Sequence, residues 1–447
     1  MTDLRQQLFT PRTAASIVIA NMVGTGVFTS LGFQLVDISS GFVLMMLWLI
    51  GGVTAFCGAM CYAELGAALP RSGGEYHFLG KIYHPAAGFV SGWISATVGF
   101  AGPTALAAIT FATYLTSALP FLPQTPFTIA ALAVALVAIL TVVHATHRKT
   151  SGSVQVAFTA LKIALIVVFC VLAFALTETP QPVDFTPKSG DGKLMLSSAF
   201  AVSLIYVSYA YTGWNVATYL SSELDNPQRN LPIVLGLGTL LVVILYLALN
   251  FVFLYAAPMD AMRGEVEIGY IAANAAFGDL GARMMGVVLA LLLISTVSAM
   301  IIAGPRVYHA IGQDHAFFAK LATTNRFGVP TFAIYVQGAL TILFIITSPF
   351  QFILLFSGFT LALNTFAAVL GLFVLRIRQP DLPRPFRAWG YPVTPLIFLA
   401  LTGWTLWFVL DQEFKAGLLG LIVIGVGFVF YLLTASSPRK AASGNTG

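Results

Sequence analysis

The fold of this chain depends on one stretch, Asn21-Met22-Val23-Gly24-Thr25-Gly26-Val27-Phe28, in the middle of the first long apolar segment, residues 14–36. Two glycines around a hydroxyl are unfavourable at mid-depth in a membrane-spanning helix. Each glycine costs about 1 kcal/mol relative to alanine, and an opened backbone leaves polar groups unpaired in lipid. Two interpretations are open: the glycines let a neighbouring helix approach closely, or they open the backbone toward a cavity or a ligand.

The composition identifies an integral membrane protein. Of the 447 residues, 58% are hydrophobic and only 9% are charged, whereas soluble chains carry about 25% charged residues. The basic residues behind the net charge of +5 are dispersed between apolar segments, which argues against nucleic-acid binding. The cysteines at 57, 61 and 170 lie inside apolar segments, so we predict neither a disulfide framework nor a metal site from them.

Apolar runs of about 20 residues predict about twelve membrane-spanning helices. The predicted spans are 14–36, 41–68, 86–118, 127–146, 152–177, 194–222, 231–257, 282–311, 331–347, 350–376, 392–410 and 416–435. Short connections join them, which predicts one membrane domain over residues 1–447 with no soluble module. Residues 436–447 form a polar tail that we predict to be disordered.

The distribution of Lys and Arg predicts the orientation in the membrane. The side of the N-terminus holds most of them, and the opposite side holds only Lys188, Lys193, Arg263, Arg283 and Lys415. Because positive residues accumulate in cytoplasmic loops, both termini are predicted to be cytoplasmic, in a multi-pass protein of the plasma (inner) membrane.

Lys162 is the charge that lies deepest in a predicted span. If the fifth span starts near residue 151, the lysine lies about 16 Å inside it at 1.5 Å per residue. An unpaired lysine at depth costs at least about 2.5–3.5 kcal/mol, so a buried partner is expected. The alternative is a lysine nearer the interface whose stem reaches back to water. The six histidines lie near cytoplasmic helix ends, which predicts neither a metal site nor a midplane proton relay.

A second interrupted stretch, Ser208-Tyr209-Ala210-Tyr211-Thr212-Gly213-Trp214-Asn215, lies at mid-depth in the sixth span. It could be an interfacial aromatic belt, but it is about equally far from both ends of its span. The first and sixth spans run in opposite directions in the predicted topology. Paired helix breaks of opposite orientation are typical of transporters built from inverted repeats.

Several stretches together resemble the amino acid–polyamine–organocation transporters, and within them the bacterial relatives of the L-type amino acid transporters. They run in the expected order from residue 21 to about 395, and the set is far more specific than the first motif alone. The matching stretches are Gly24-Thr25-Gly26-Val27-Phe28, Tyr62-Ala63-Glu64-Leu65-Gly66, Pro70-Arg71-Ser72-Gly73-Gly74-Glu75-Tyr76, Ala210-Tyr211-Thr212-Gly213-Trp214-Asn215, residues 223–232, Pro305-Arg306-Val307-Tyr308 and residues 380–387.

The resemblance implies an all-α, LeuT-type fold. Two inverted repeats of five helices would occupy residues 14–177 and 194–376, and two further helices would occupy residues 392–435. It also implies that the opened backbone of the first and sixth spans binds the α-amino and α-carboxyl groups of a substrate. The implied substrate-binding residues are Met22, Val23, Gly24, Thr25, Gly26, Tyr209, Ala210, Thr212 and Gly213.

The chemistry of helix ends assigns parts to these residues. The N–H groups of Thr25 and Gly26, at the start of a half-helix, suit a carboxylate, and we interpret the two glycines as opening the backbone for it. Unpaired carbonyls suit an ammonium, and these are assigned to Met22, Tyr209, Ala210 and Thr212. By resemblance Tyr209 is an outer gate where relatives often have phenylalanine. Thr212 stands where several large-substrate relatives have glycine, which favours smaller side chains.

Lys162 resembles a fifth-helix lysine of sodium-independent members. By resemblance its ammonium takes the place of a sodium ion, bonded to first-span carbonyls near Gly24 and to Ser295 or Ser298, so no sodium dependence is expected. Eukaryotic relatives link to a glycoprotein subunit through a cysteine between the third and fourth helices. Residues 120–126 contain no cysteine, so no disulfide-linked heavy subunit is expected.

The function predicted is a secondary transporter of neutral, small to medium L-amino acids, sodium-independent and most consistent with an exchanger. A proton-coupled symporter is the alternative. A cationic amino acid or polyamine antiporter is less favoured, because we expect no acidic residue at mid-depth. An intramembrane enzyme would need a nucleophile with a base or a metal motif, and a channel would need polar pore rings; neither pattern occurs, and no cofactor is predicted. The preferred amino acid and the oligomeric state stay open.

Overall fold

The computed structural model describes residues 10–146, 152–326 and 328–435, with the side chains of residues 152–155, 220, 222, 223, 316 and 435 left aside. The predicted polar tail and the basic residues at 5, 148, 149, 439 and 440 lie outside the described residues. The described part of the chain is built from helices joined by short connections. This confirms the predicted all-α membrane class.

Seventeen α-helices follow one another in the described part of the chain. They are α1 (Pro11–Met22), α2 (Gly26–Gln34), α3 (Gly41–Ala68), α4 (Glu75–Ile82), α5 (Pro85–Ile94), α6 (Ala101–Ala118), α7 (Pro126–Thr146), α8 (Gly152–Leu176), α9 (Asp191–Met195), α10 (Ser198–Ala210), α11 (Pro227–Ala256), α12 (Met259–Met262), α13 (Ile268–Asp314), α14 (Thr331–Thr347), α15 (Phe350–Arg378), α16 (Val393–Gln412) and α17 (Phe414–Ala435). A π-helical turn (Ser95–Gly99) joins α5 to α6, and 3₁₀ helices cover Trp214–Glu223 and Ala316–Ala322.

Ten helical segments of the described residues are long and apolar enough to cross a membrane, with α1 and α2 counted as one broken span. The shorter apolar helices α10 and α14 complete the set of about twelve predicted spans. Both predicted interruptions are present. The first span breaks between Met22 and Gly26, and the sixth span breaks after Ala210 and continues as the 3₁₀ helix Trp214–Glu223.

The eighth span differs most from its prediction. It was expected to begin near residue 282, but α13 begins at Ile268, and its backbone bends at Gly278, where φ is +71°. Only glycine adopts such a left-handed conformation readily. Residues 268–277 therefore form a separate helical stretch that meets the span at a kink at Gly278.

The two broken spans pack against each other at the centre of the molecule. Helix α2 contacts α10, and α1 contacts the 3₁₀ helix Trp214–Glu223. All nine residues of α2, the second half of the first span, are buried. The protein therefore encloses the breaks on the side that lies away from the N-terminus.

The glycines of the breaks do not all have the same part. A Cβ on Gly26 would lie 2.4 Å from Ala210 Cα, and one on Gly213, whose φ is +102°, would lie 2.9 Å from the carbonyl carbon of Asn21. A Cβ on Gly24 would meet nothing closer than 3.8 Å. Gly26 and Gly213 thus permit close approach of the two spans. The interpretation of Gly24 and Gly26 as residues that open the backbone therefore omitted the packing role of Gly26.

A buried ion cluster joins α3 to α15 at the end of the molecule near the N-terminus. Glu64, fully buried, accepts hydrogen bonds from Arg376 Nε at 2.8 Å and Arg376 Nη2 at 2.6 Å. Arg384 Nε lies 3.6 Å from the same carboxylate, and the Ala388 N–H donates to it at 2.7 Å. Glu64 thus pairs with bases that lie more than 300 residues away along the chain.

Candidate functional site

A cavity of about 140 Å³ lies where the two breaks meet. Its walls come from the breaks, from the π-helical turn before α6, from the middle of α13 and α15, and from parts of α3 and α16. The lining includes Asn21 and Tyr219, which belong to the half of each broken span nearer the N-terminal side. Because α2 is wholly buried, the cavity faces the side of the membrane that holds the N-terminus.

The first break leaves backbone donors free at the start of α2. Around the break, the Val23 N–H donates to the Ile19 carbonyl, the Gly24 N–H to the Met22 carbonyl, and the Phe28 N–H to the Thr25 carbonyl. In the described part of the chain the N–H groups of residues 25–27 have no backbone partner. Helix starts always leave such donors, and here Thr25 and Gly26 line the cavity. These two N–H groups are unpaired donors at a positive helix end, an arrangement that suits an anion.

The backbone acceptors at the breaks are partly occupied. Four carbonyls were predicted to bind an ammonium group, and three of them already accept hydrogen bonds. The Met22 and Ala210 carbonyls accept from the Tyr246 hydroxyl, and the Tyr209 carbonyl accepts from the Thr212 N–H and hydroxyl. The Thr212 carbonyl accepts no hydrogen bond within the described residues, and neither does the Asn21 carbonyl, which was not predicted. Both residues line the cavity. Asn21 and Thr212 therefore offer free carbonyl acceptors in the cavity wall.

Tyr246 of α11 braces both breaks with one hydroxyl. It donates to the Met22 carbonyl at 2.5 Å and to the Ala210 carbonyl at 3.2 Å, and its side chain is fully buried. Since one hydroxyl carries one proton, the two bonds share it and draw the two chain ends together. Sequence reasoning missed this residue, because a single tyrosine in a long apolar run gives no signal of its own.

Lys162 has the buried partners that its depth demanded. It is 4% exposed, and its Nζ donates to the Thr296 hydroxyl at 2.9 Å, the Val23 carbonyl at 3.2 Å and the Ala20 carbonyl at 3.4 Å. The bonds to first-span carbonyls agree with the expectation. The ammonium thus ties α8 to the end of α1 and to α13.

The expected serine partners of Lys162 are wrong. Successive helical residues are turned by about 100°, so Ser295 and Ser298 point to other sides of α13 than Thr296. Ser298 instead pairs with the His144 ring of α7, with 2.8 Å between Oγ and Nε2. Thr296 also lines the cavity. It is therefore the residue of α13 that joins the lysine to the site.

Most of the predicted substrate-binding residues line the cavity. They are Met22, Gly24, Thr25, Gly26, Tyr209, Ala210, Thr212 and Gly213. Val23 does not line it, because its side chain is 2% exposed in the core and its carbonyl binds Lys162. Tyr209, expected as the outer gate, is 5% exposed.

The cavity wall also includes the carboxylate of a residue that lies between two predicted spans. Glu75, the first residue of α4, is 1% exposed and lines the cavity. It accepts hydrogen bonds from Tyr62, Asn215 and Tyr219. The cavity wall thus includes an acidic residue that lies outside the predicted spans. The residue follows the second span in sequence, and only the folding of α4 back toward the 3₁₀ helix brings it inside.

Cofactor or metal ligands are not gathered anywhere in the described part of the chain. No three His, Cys, Asp or Glu side chains there are grouped so that they could hold a metal ion. Besides the Glu75 carboxylate, the polar groups that face the cavity include backbone donors and acceptors, hydroxyls and amides. Such groups are suited to hydrogen bonding with a small zwitterion.

Most of the chain is similar in sequence to known proteins. A family model described as amino acid permease matches residues 9–436. "Large neutral amino acids transporter small subunit 2" of Mus musculus is 27% identical over 432 residues, which cover 94% of this chain and 80% of the relative. "Asc-type amino acid transporter 1" of Mus musculus is 25% identical over 433 residues, with 94% and 80% covered. "Serine/threonine exchanger SteT" of Bacillus subtilis (strain 168) is 25% identical over 394 residues, with 87% of each chain covered.

Proposed function

Because this chain belongs to the amino acid permease family, it is a membrane transporter of amino acids and not an enzyme, and we propose that it exchanges neutral L-amino acids without sodium. The exchange would follow alternating access, with the breaks of the first and sixth spans as the binding site of two inverted repeats, residues 14–177 and 194–376. Relatives named as a large neutral amino acids transporter subunit and as a serine/threonine exchanger support this choice.

The observation that carries the proposal is the pairing of free donors and free acceptors in one cavity. The N–H groups of Thr25 and Gly26 suit the α-carboxylate, at the positive end of α2. The carbonyls of Asn21 and Thr212 suit the α-ammonium. We propose that Met22 and Ala210 act indirectly, since Tyr246 holds their carbonyls.

Lys162 supports independence from sodium. A fixed ammonium bonded to two carbonyls and a hydroxyl supplies the positive charge that a bound cation would supply. A second cation placed against the same carbonyls would be repelled by it. We therefore propose Lys162, with Thr296, as a permanent substitute for a coupling ion.

The cavity supports small to medium substrates. At about 140 Å³ it is close to an engineered protein cavity of about 150 Å³ that holds benzene. Serine, threonine and other small amino acids have a similar number of heavy atoms. The Thr212 side chain, held by its 2.6 Å bond to the Tyr209 carbonyl, narrows the space further.

The setting proposed is the plasma (inner) membrane with both termini in the cytoplasm. The excess of Lys and Arg on the side of the N-terminus supports that orientation. The cavity would then face the cytoplasm. We propose that the chain works without a disulfide-linked heavy subunit, since the loop at residues 120–126 has no cysteine.

Uptake of labelled amino acids into proteoliposomes tests the function. We expect uptake of serine, alanine or leucine only when the vesicles contain unlabelled amino acid, and equal uptake in sodium and in choline buffer. Liposomes prepared without the protein are the control. Absence of uptake with and without internal amino acid would contradict transport, whereas uptake into vesicles without internal substrate would favour a symporter over an exchanger.

A further inference from the structure

One polar wall of the cavity is not used by the proposed contacts with the α-amino and α-carboxyl groups. It lies where α15 and α16 pack against each other and against α3, and it includes Thr54, Asn364 and Thr402. Each of these residues lies near the middle of its membrane-spanning helix. The wall is therefore at mid-depth in the membrane, as the two breaks are.

Asn364 and Thr402 are buried polar side chains that have no partner. They are 5% and 8% exposed, and neither forms a hydrogen bond with any residue that the structure describes. Their polar atoms open into the cavity that they line, whereas the hydroxyls of Ser357 and Thr405, on the same two helices, are sealed in the packing. Because buried polar groups in proteins nearly always have a partner, a ligand or water must complete this pair.

The neighbouring polar groups are already engaged. Thr54 donates to the Ile50 carbonyl at 2.8 Å, and Thr365 donates to carbonyls of its own helix at 3.1 and 3.0 Å. The carboxylate of Glu75, the one charged side chain among the described residues of the cavity lining, accepts three hydrogen bonds from neutral side chains. The free groups of this wall are thus a neutral amide and a neutral hydroxyl.

The wall formed by the start of α6 and the middle of α13 offers less to a polar group. It contains Phe100, Pro103 and Met300. The hydroxyl of Thr296, which also belongs to this wall, accepts from Lys162 at 2.9 Å. A polar group on a ligand therefore finds free partners at α15 and α16 and not at α6 and α13.

We propose that Asn364 and Thr402 form a subsite for the side-chain hydroxyl or carboxamide of the substrate, so that this protein selects small, polar, neutral amino acids. This inference rests on the proposed exchange function and names its substrate class. Hydroxyls and carboxamides both donate and accept, and so do the two free side chains. An apolar side chain of the same size displaces the water from Asn364 and Thr402 and leaves them unpaired, which is unfavourable.

Threonine and valine test the subsite, because they have nearly the same shape and differ by a hydroxyl in place of a methyl group. Proteoliposomes preloaded with alanine take up labelled alanine in the presence of increasing external threonine or valine. We expect threonine to reach half-inhibition at a concentration at least about tenfold lower than valine. Equal inhibition by the two amino acids would overturn the subsite and leave amino acid exchange in place.

Thr402→Val and Asn364→Leu remove the two polar groups while roughly keeping side-chain size. Each should lower the preference for threonine over valine at least about threefold. Thr402→Val keeps the shape of the side chain, so it remains a test if Asn364→Leu does not fold. Thr360→Val is the control, since this hydroxyl bonds the Phe356 carbonyl of its own helix at 2.7 Å; it should keep the wild-type preference.

The outcomes separate the subsite from the function on which it rests. A wild-type preference for threonine in both Thr402→Val and Asn364→Leu would overturn the subsite. A change of the same size in Thr360→Val would also overturn it, because that residue does not line the cavity. Absence of exchange with alanine, serine and leucine alike would instead contradict the proposed function, and the substrate class with it.

Discussion

Replacing Gly26 by alanine tests the crossing of the two broken spans. The new Cβ would lie 2.4 Å from Ala210 Cα and 2.7 Å from Ala210 Cβ. Ordinary carbon contacts are about 3.5–4.0 Å, so the two chains must separate by roughly 1 Å. The nearer atom belongs to the backbone of α10, so no side-chain rotation can relieve the contact. Gly26→Ala therefore forces α2 away from α10.

The size of the effect follows from the cost of overpacking. Extra methyl groups in a packed interior cost about 1–3 kcal/mol. The cost falls on the conformation in which α2 and α10 are closed against each other, so it shifts the balance between conformations about 5- to 150-fold. Because alternating access requires the closed outer side, exchange should fall at least fivefold while the protein stays in the membrane.

Gly24→Ala is the matched control for Gly26→Ala. A Cβ there would meet nothing closer than 3.8 Å, and the backbone at Gly24 is not left-handed. We expect its exchange rate to stay within about threefold of wild type, the range of substitutions that disturb no packing. Both variants are measured in preloaded proteoliposomes at equal protein amounts, with thermal stability followed by size-exclusion chromatography.

Either of two results would refute this reasoning. Wild-type exchange by Gly26→Ala would mean that the close crossing is not needed for transport. A loss in Gly24→Ala as large as that in Gly26→Ala would mean that the glycines matter for backbone opening and not for packing. Unfolding of Gly26→Ala, seen as loss of the monodisperse peak, would place the cost on stability instead of on the conformational balance.

Three further substitutions separate the parts of the site. Lys162→Ala should lower exchange at least about tenfold, because each hydrogen bond to a charged group contributes about 1.5–3 kcal/mol. Lys188→Ala, at an exposed lysine, is the control. Near-normal exchange by Lys162→Ala would exclude the lysine from the mechanism. Thr212→Gly should extend a competition panel toward larger side chains, and an unchanged panel would mean that Thr212 does not limit substrate size. Tyr246→Phe leaves the buried Ala210 carbonyl without its donor, whereas the Met22 carbonyl keeps the Gly24 N–H. An unsatisfied buried group costs about 1–3 kcal/mol, so the variant should lower both the thermal stability and the exchange rate; wild-type values of both would contradict its bracing role.

The sequence predicted the spans and both breaks because their signals are local. A run of apolar residues long enough to cross a membrane needs no tertiary information. A glycine beside a hydroxyl at mid-depth, at Gly24 and again at Gly213, can likewise be recognised from the sequence alone. Lys162 was recognised as needing a partner, because an unpaired charge at that depth is too costly. These features depend on composition along one helix.

The parts that the sequence did not predict depend on contacts between distant segments. The sequence predicted Ser295 or Ser298, and not Thr296, as the partner of Lys162, because packing sets the rotation of α13 about its axis. Glu75 reaches the cavity only because α4 folds back beside the 3₁₀ helix, and the shared hydroxyl of Tyr246 requires both breaks to be in place. Which carbonyls stay free, those of Asn21 and Thr212, follows from these neighbours.

The Glu64 cluster has a consequence for biosynthesis. Glu64 and Arg376 are separated by 312 residues, which takes about 15 to 60 s to translate at 5–20 residues per second. During that interval the second span is inserted with a carboxyl group whose base has not yet been made. A nascent chain that stops before α15 keeps this group uncompensated, so truncated products should be recognised by membrane quality control. The carboxyl group of the second span is thus compensated only after the tenth span has been made.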